Sequence, residues 1–247
     1  MRLFFEVAYK GTDFHGWQTQ KNGITVQGTI EHGLSTIMRT PVSIVGSGRT
    51  DAGVHCKQQY FHADLPDEIS LKHLQHKMNS FLPKSITIRS VKKVKEDAHA
   101  RFDAIRRGYE YIILTEKNPF EQETALYYNK ELDIETMNKA SSLLLGKHNF
   151  ESFSKVKTEV NTFFCTIEKA EWKRTDNTIT FCIFADRFLR GMVRSIVGTL
   201  LDVGEHKINV DDLESIIESQ DRRKAGKSVA ASGLFLVNVE YPKEIFL

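Results

Sequence analysis

The sequence predicts an α+β protein in which one order of elements, β-α-β-β-α-β, occurs twice. Segments rich in strand formers alternate with segments whose apolar residues recur at helical spacing. The order found over the first 94 residues then returns between 109 and 241. No low-complexity linker separates the two halves, so they are expected to pack as one body with a cleft between them.

The first half opens with "RLFFEVAY", residues 2 to 9, as a strand. A glycine-containing link leads to "VQGTIEHGLSTIM", where Val26, Ile30, Leu34 and Ile37 lie at helical spacing behind Thr25 as N-cap. "VSIVG" and "HCKQQYFHAD" read as two strands joined by a glycine-rich loop. "LKHLQHKM" places Leu71, Leu74 and Met78 on one helical face behind Ser70, and Pro83 stops that helix. "ITIRSVKKV", 86 to 94, closes the half as a strand. The second half repeats the order. It runs through "YEYIIL" from 109, then a helix from Asp133 with Ile134, Met137, Ala140 and Leu144 inward, ending before Gly146. "FFCTIEKAEW" and "TITFCIFA" flank a turn at Thr175 to Asn177, and "FLRGMVRSIVGTLL" follows as a helix ended near Gly204. An extra helix, about 210 to 219, sits behind Asn209 with Val210, Leu213, Ile216 and Ile217 apolar, and "GLFLVNVEY", 233 to 241, is the last strand. Each half thus has the split βαβ, or ferredoxin-like, pattern with a largely antiparallel sheet. The expected domains are 1–105 and 106–247.

At 247 residues with 40% apolar content the chain can bury a substantial core. Lys plus Arg number 34 against 32 Asp plus Glu, a formal charge of +2, so bulk charge does not decide for or against nucleic acid. Cys56, Cys165 and Cys182 have no metal-like spacing and suit free thiols in a reducing cytoplasm. The start, "MRLFFEVAYKG", has an apolar run too short for a signal peptide and broken by Glu6. No stretch approaches the ~18 apolar residues of a membrane span.

The segment that asks for a chemical explanation is "VGSGRTDAGVHC", Val45 to Cys56. It joins the two middle strands of the first half, where the matching turn of the second half is only a few residues long. Gly and Asp are ordinary turn residues. A turn alone does not call for Gly46, Gly48, Arg49, Asp51, Gly53 and His55 together, and the competing reading is a carboxylate presented by a loop. An ionised Asp51 facing a cleft needs a nearby guanidinium, since burial raises a carboxylate pKa by up to ~3 to 5 units and an adjacent Arg lowers it by ~1 to 3. Arg49 is one source. Arg187, Arg190 and Arg194, three and four residues apart, are expected on one face of a helix and are a second; a solvated helix face is the plain alternative.

Tyr109 and Tyr111 occupy one face of a strand, behind Arg106 and Arg107. Strand tyrosines ordinarily pack into a core, while one at the edge of a cleft can stack on a nucleobase. Two basic clusters, from Lys84 to Arg107 and "DRRKAGK" at 221 to 227, could meet phosphates or simply be solvated. "GSGRTDAG" lacks the Lys and spacing of a P-loop and joins two strands. His55, Cys56 and His62 lack the paired spacing of a zinc site, so no metal is expected.

Taken together, "GRTDAGVH" at 48 to 55, "HARFDA" at 99 to 104 followed by "YEYIIL", "MVRSIVG" at 192 to 198 and "GLFLV" at 233 to 237 resemble the tRNA pseudouridine synthase A (TruA) family. "YKGTDFHGWQ" and "TVQGTIE" near the start are similar too, so the resemblance spans essentially the whole chain in order. It implies an isomerase acting on uridines 38, 39 and 40 of the tRNA anticodon stem-loop, without metal or organic cofactor. The essential Asp of the family motif falls on Asp51 and the Tyr that stacks on the target uracil on Tyr109. An Arg that pairs with the catalytic Asp falls on Arg194, and the motif Arg that orders RNA and loop on Arg49. The resemblance also implies a homodimer in which one tRNA contacts both subunits. Cys56 stands where Ala or Gly is common, and "IRRGY" differs in detail from related segments before the Tyr. A non-catalytic RNA-binding protein is the competing class, although the aromatic RNP1 pattern is missing and such a protein gives no reason for the Asp51 loop. A metal-dependent hydrolase using Asp51 and His55 is a third.

Overall fold

The computed structural model describes residues 1–66, 69–156 and 160–247. The chain is α+β, with five α-helices among the described residues and strands paired mostly antiparallel. It divides into two compact units, Met1–Arg106 together with Phe235–Leu247, and Arg107–Leu234.

In the first unit the order is β1 (Arg2–Tyr9), α1 (Val26–Met38), β2 (Val45–Gly46), β3 (His55–Asp64), α2 (Leu71–Phe81) and β4 (Ile86–Lys93). β1 lies between β4 and β3 and is antiparallel to both. Phe5 faces Phe61 across the β1–β3 ladder, and the two rings stack at 4.7 Å. Leu3, Phe5 and Val7 are buried on one face of β1 and Phe4 on the other. The second face is covered from the chain's end, where Tyr241 and Phe246 set their ring edges on Phe4 at 5.2 and 6.1 Å. Burial of each such side chain stabilises the fold by ~1.5–3 kcal/mol. The helix ends follow their caps: Thr25 Oγ1 accepts from Gly28 N at 3.2 Å, and Ser70 Oγ accepts from His73 N. Val26, Ile30 and Leu34 are buried as their spacing requires, and Ile37 is half-buried.

The strand expected over "VSIVG" is reduced to the two residues of β2, which pair with His62 and Phe61. The reason lies in α1. Val42 N donates to Ser35 Oγ at 2.9 Å and Ile44 N to Glu31 Oε1 at 3.0 Å, while Gln27 Nε2 donates to Ile44 O. Side chains of the helix thus take backbone groups that a longer ladder would use.

The second unit runs β5 (Arg106–Leu114), β6 (Leu126–Tyr127), α3 (Ile134–Ser142), β7 (Gly146–Asn149), β8 (Phe164–Thr175), β9 (Thr178–Ala185), α4 (Met192–Gly204) and α5 (Val210–Ser219). Its sheet has the order β5-β9-β8-β7, with β6 parallel to β5. Asp133 caps α3, accepting from Thr136 N at 3.0 Å. Asn209 and Asp212 form a capping box on α5, where Leu213, Ile216 and Ile217 are buried. The helix expected from 188 begins only at Met192, because Gly191 adopts a left-handed φ of 73° and ends the helix on its N-terminal side. Arg187 and Arg190 therefore precede α4 and do not share a helical face with Arg194. α4 is buried nearly all round, as its almost continuous apolar sequence demands. The last strand, β10 (Leu234–Glu240), pairs parallel to β3 through Phe235↔His55 and Leu236↔Cys56, and residues 235–247 group with the first unit.

At the end of β3, buried His62 accepts from Ala100 N through Nδ1 at 3.1 Å and so anchors the "HARFDA" turn. Burial, with nearby Arg2 and His99, depresses its pKa from 6.5 to about 4, against the opposite pull of Asp64 and Asp103. A depressed imidazole pKa means that the unfolded chain takes up the proton first. Stability is therefore expected to fall as pH drops from about 6.5 toward 4. An NMR titration should find His62 neutral down to that range, and His62→Gln should flatten the slope of thermal stability across the same window.

Candidate active-site loop

The loop between β2 and β3 is held against the segment that follows β1. Tyr9, at the end of β1, donates its hydroxyl proton to Gln59 Oε1 at 2.9 Å and lies 2.9 Å from Thr50 Oγ1; all three side chains are buried. Gln59 Nε2 in turn donates to Gly48 O at 3.0 Å. Backbone bonds add to this: Trp17 N to Thr50 O, Gly53 N to Phe14 O, and Ser47 N to Tyr60 O. His55 Nδ1 accepts from Gly11 N at 3.0 Å, and its ring stacks on Phe235.

Two glycines make this contact possible. A Cβ on Gly11 would lie 2.0 Å from Val54 O, and one on Gly16, whose φ is +88°, would lie 2.5 Å from Thr50 O. The buried indole of Trp17 packs over Gly46 and beside Tyr9 and Phe61. Thr50 is consequently pinned inward, while Arg49 before it is exposed and Asp51 after it is half-buried. The loop offers a guanidinium and a carboxylate from a fixed backbone.

On the second unit, two tyrosines on one face of β5 differ in burial. Tyr111 is fully buried, and its hydroxyl donates to Ala230 O at 2.8 Å; burial pushes its pKa upward. Tyr109 is half-buried, with Phe188 set edge-on to its ring at 5.1 Å. Arg194, in the first turn of α4, donates from Nε to Val229 O at 2.7 Å and accepts from Val229 N through its backbone carbonyl. Arg194 is thereby tied to the segment that also receives Tyr111.

Asp51 and Arg49 thus lie on the first unit, and Tyr109 and Arg194 on the second. Part of the basic signal is spent internally. Arg106 pairs with Glu240 at 3.1 Å, Arg223 pairs with Asp221, and Arg222 donates to the carbonyls of Ala225 and Gly226. The three side chains weighed as a zinc site each engage backbone: His55 with Gly11, His62 with Ala100, and Cys56 Sγ with Val7 O. Among the described residues no group of three or more His, Cys, Asp or Glu is placed to hold a metal ion. No helix among them is long and apolar enough to cross a membrane.

A family model described as tRNA pseudouridine synthase matches residues 7–103 and 140–242. The protein named tRNA pseudouridine synthase A from Bacteroides fragilis is 48% identical over 247 residues, covering 99% of this chain and 98% of the relative. The proteins of the same name from Porphyromonas gingivalis and Bacillus subtilis are 48% and 37% identical, each over at least 98% of both chains. The chain belongs to the tRNA pseudouridine synthase family. Family membership makes it a tRNA-modifying isomerase, and the pinned loop carries the "GRTDAGVH" segment on which the resemblance first rested.

Missing from the sequence reading were the residues that hold that loop: Tyr9, Gln59, Trp17, Gly11 and Gly16. The only sequence signal was the cluster of glycines and aromatics in "YKGTDFHGWQ". Removing the hydroxyl in Tyr9→Phe leaves the buried Gln59 acceptor short of a partner. The variant should lose ~1–3 kcal/mol of stability in urea unfolding, and its turnover should fall more than its RNA affinity, because the ring and the charged surface are both retained.

Proposed function

We propose that this chain converts uridine to pseudouridine at positions 38, 39 and 40 of the tRNA anticodon stem-loop, with Asp51 as the essential catalytic residue. The observation that carries the reading is the anchoring of the Asp51 loop: a half-buried carboxylate follows a buried, doubly hydrogen-bonded Thr50 in a chain of the pseudouridine synthase family. Such fixation of one reactive group is what positional catalysis needs.

In this reading the N1–C1′ bond of the target uridine breaks, the uracil turns, C5 joins C1′, N1 gains a proton and the C5 hydrogen leaves to water. A stem uridine must first leave its stack, at a cost of a few kcal/mol. Stacking on Tyr109 recovers ~1–3 kcal/mol. Asp51 acts on the glycosidic bond as an ionised carboxylate. Arg194 takes the family role of its pairing Arg, and Arg49, exposed beside Asp51, orders RNA against the loop. The reaction is an internal rearrangement with no net oxidation, so no organic cofactor is assigned. A homodimer sharing each tRNA, a cytoplasmic location, and two ferredoxin-like halves over 1–105 and 106–247 belong to the same proposal. The β4-β1-β3 order of the first unit supports the last of these.

The test uses anticodon stem-loop RNA tritiated at uridine C5, with purified protein, EDTA and no added cofactor. Tritium should appear in water, and Asp51→Asn should fold and bind RNA with turnover reduced at least 10³-fold, as for loss of a covalent or general-base group. Substantial release by that variant would remove Asp51 from its role. Tyr109→Phe should keep base binding near that of the parent, whereas Tyr109→Ala should weaken it by ~10-fold or more, in line with ~1–3 kcal/mol per stacked base. Equal losses in both variants would show that stacking is not what Tyr109 supplies.

A further inference from the structure

A cavity of about 450 Å³ opens on the first unit where three adjacent strands meet end to side. The end of β1 pairs there with the starts of both β3 and β4, through Tyr9↔Cys56, Tyr9↔Ile86 and Ala8↔Thr87, and Lys10 N donates to Ser85 O at 2.9 Å. Nine residues line the cavity. Four are cations, Lys10, Lys57, Lys84 and Arg89, and none is acidic. All four are exposed, and Lys57 Nζ lies 5.3 Å from the centre of the Phe235 ring. Lysines scattered over a surface are simply hydrated. Four cations converging on one concavity with no acid in its lining raise the local potential enough to gather anions.

The groove is also well placed. Of the strands that wall it, β3 begins at His55, directly after the anchored loop and bonded to Gly11, and Tyr9 at the end of β1, which contacts Thr50, precedes Lys10. β3 and β4 flank β1, so they are about 10 Å apart. A nucleic-acid strand presents one charge per ~3.4 Å of axis, so that width meets two or three successive phosphates.

We propose that this groove binds the ribose-phosphate backbone of the RNA strand beside the nucleotide offered to the Asp51 loop. The inference rests on the RNA-modifying function proposed above, and names the surface that holds the strand while one base is displaced. Phosphate contacts of this kind position the RNA without reading its sequence.

The experiment compares the full chain with the double variant Lys84→Ala/Arg89→Ala, after both pass a urea-unfolding check. It uses tritium release and direct binding of the anticodon stem-loop RNA over a series of salt concentrations. KM should rise at least tenfold with kcat within twofold, and the slope of log affinity against log salt should lose about 2, near 0.9 per phosphate contact removed. Lys84→Arg should retain the parent slope. An unchanged KM and slope would overturn the proposal, as would a fall in kcat alone. Loss of inorganic phosphate binding without any change for RNA would identify a pocket for single anions and overturn it too. If the parent chain releases no tritium, the activity reading fails while the salt slopes of binding still decide the groove.

Discussion

The contact between the chain after β1 and the loop before β3 is the constraint on which the candidate site depends. At its centre are Tyr9, Thr50 and Gln59, three buried polar side chains 41 and 50 residues apart along the chain and within hydrogen-bond distance in space. Buried polar groups are costly without partners and rigid with them. The network therefore favours one loop conformation over many. Packing alone would leave an eight-residue stretch rich in glycine free to vary; hydrogen bonds at Ser47, Gly48, Thr50 and Gly53 remove that freedom. Thr50 is thereby fixed inward between an exposed Arg49 and a half-buried Asp51.

The same logic explains why the strand before the loop is so short. Ser35, Glu31 and Gln27 of α1 hold residues 42 to 44 through the backbone, and β2 contributes only two ladder residues. From β2 the chain then runs through residues 47 to 54 before β3, whereas β8 turns directly into β9 at Asp176 and Asn177. Arg49 and Asp51 occupy the length by which this loop exceeds that turn. Longer loops add closure entropy only slowly, so the arrangement costs little.

What the sequence made legible was local. Caps and spacing located α1, α2, α3 and α5, since a Ser, Thr, Asp or Asn ahead of apolar residues at three and four is a signal carried within one turn. α4 was placed too early because Phe188 and Leu189 prolong its apolar run; only the left-handed backbone at Gly191 ends it. β6 and β7, two and four residues long, are too short to show a period. The motif announced Asp51, yet its supports were invisible, because a hydrogen bond between Tyr9 and Gln59 leaves no trace in either neighbourhood. Charge was legible only as composition. Arg222 and Lys84 look alike in a list of basic residues, but one donates to its own loop and the other lines a groove free of acids in its lining.

Arg194 shows why residue type and local tether must be read together. Its Nε donates to Val229 O, and Val229 N donates back to its carbonyl, so one side of the guanidinium is fixed by backbone. A planar fork held at Nε has its remaining donors set in direction as well as in charge. Lysine would keep the charge but could not both satisfy Val229 and present a second, oriented pair of donors. The tether on Arg194 and the clamp on Thr50 are thus the same device on two units. In each, a hydrogen bond to the backbone fixes one part of a residue, and the charged group is carried on that residue or on its neighbour.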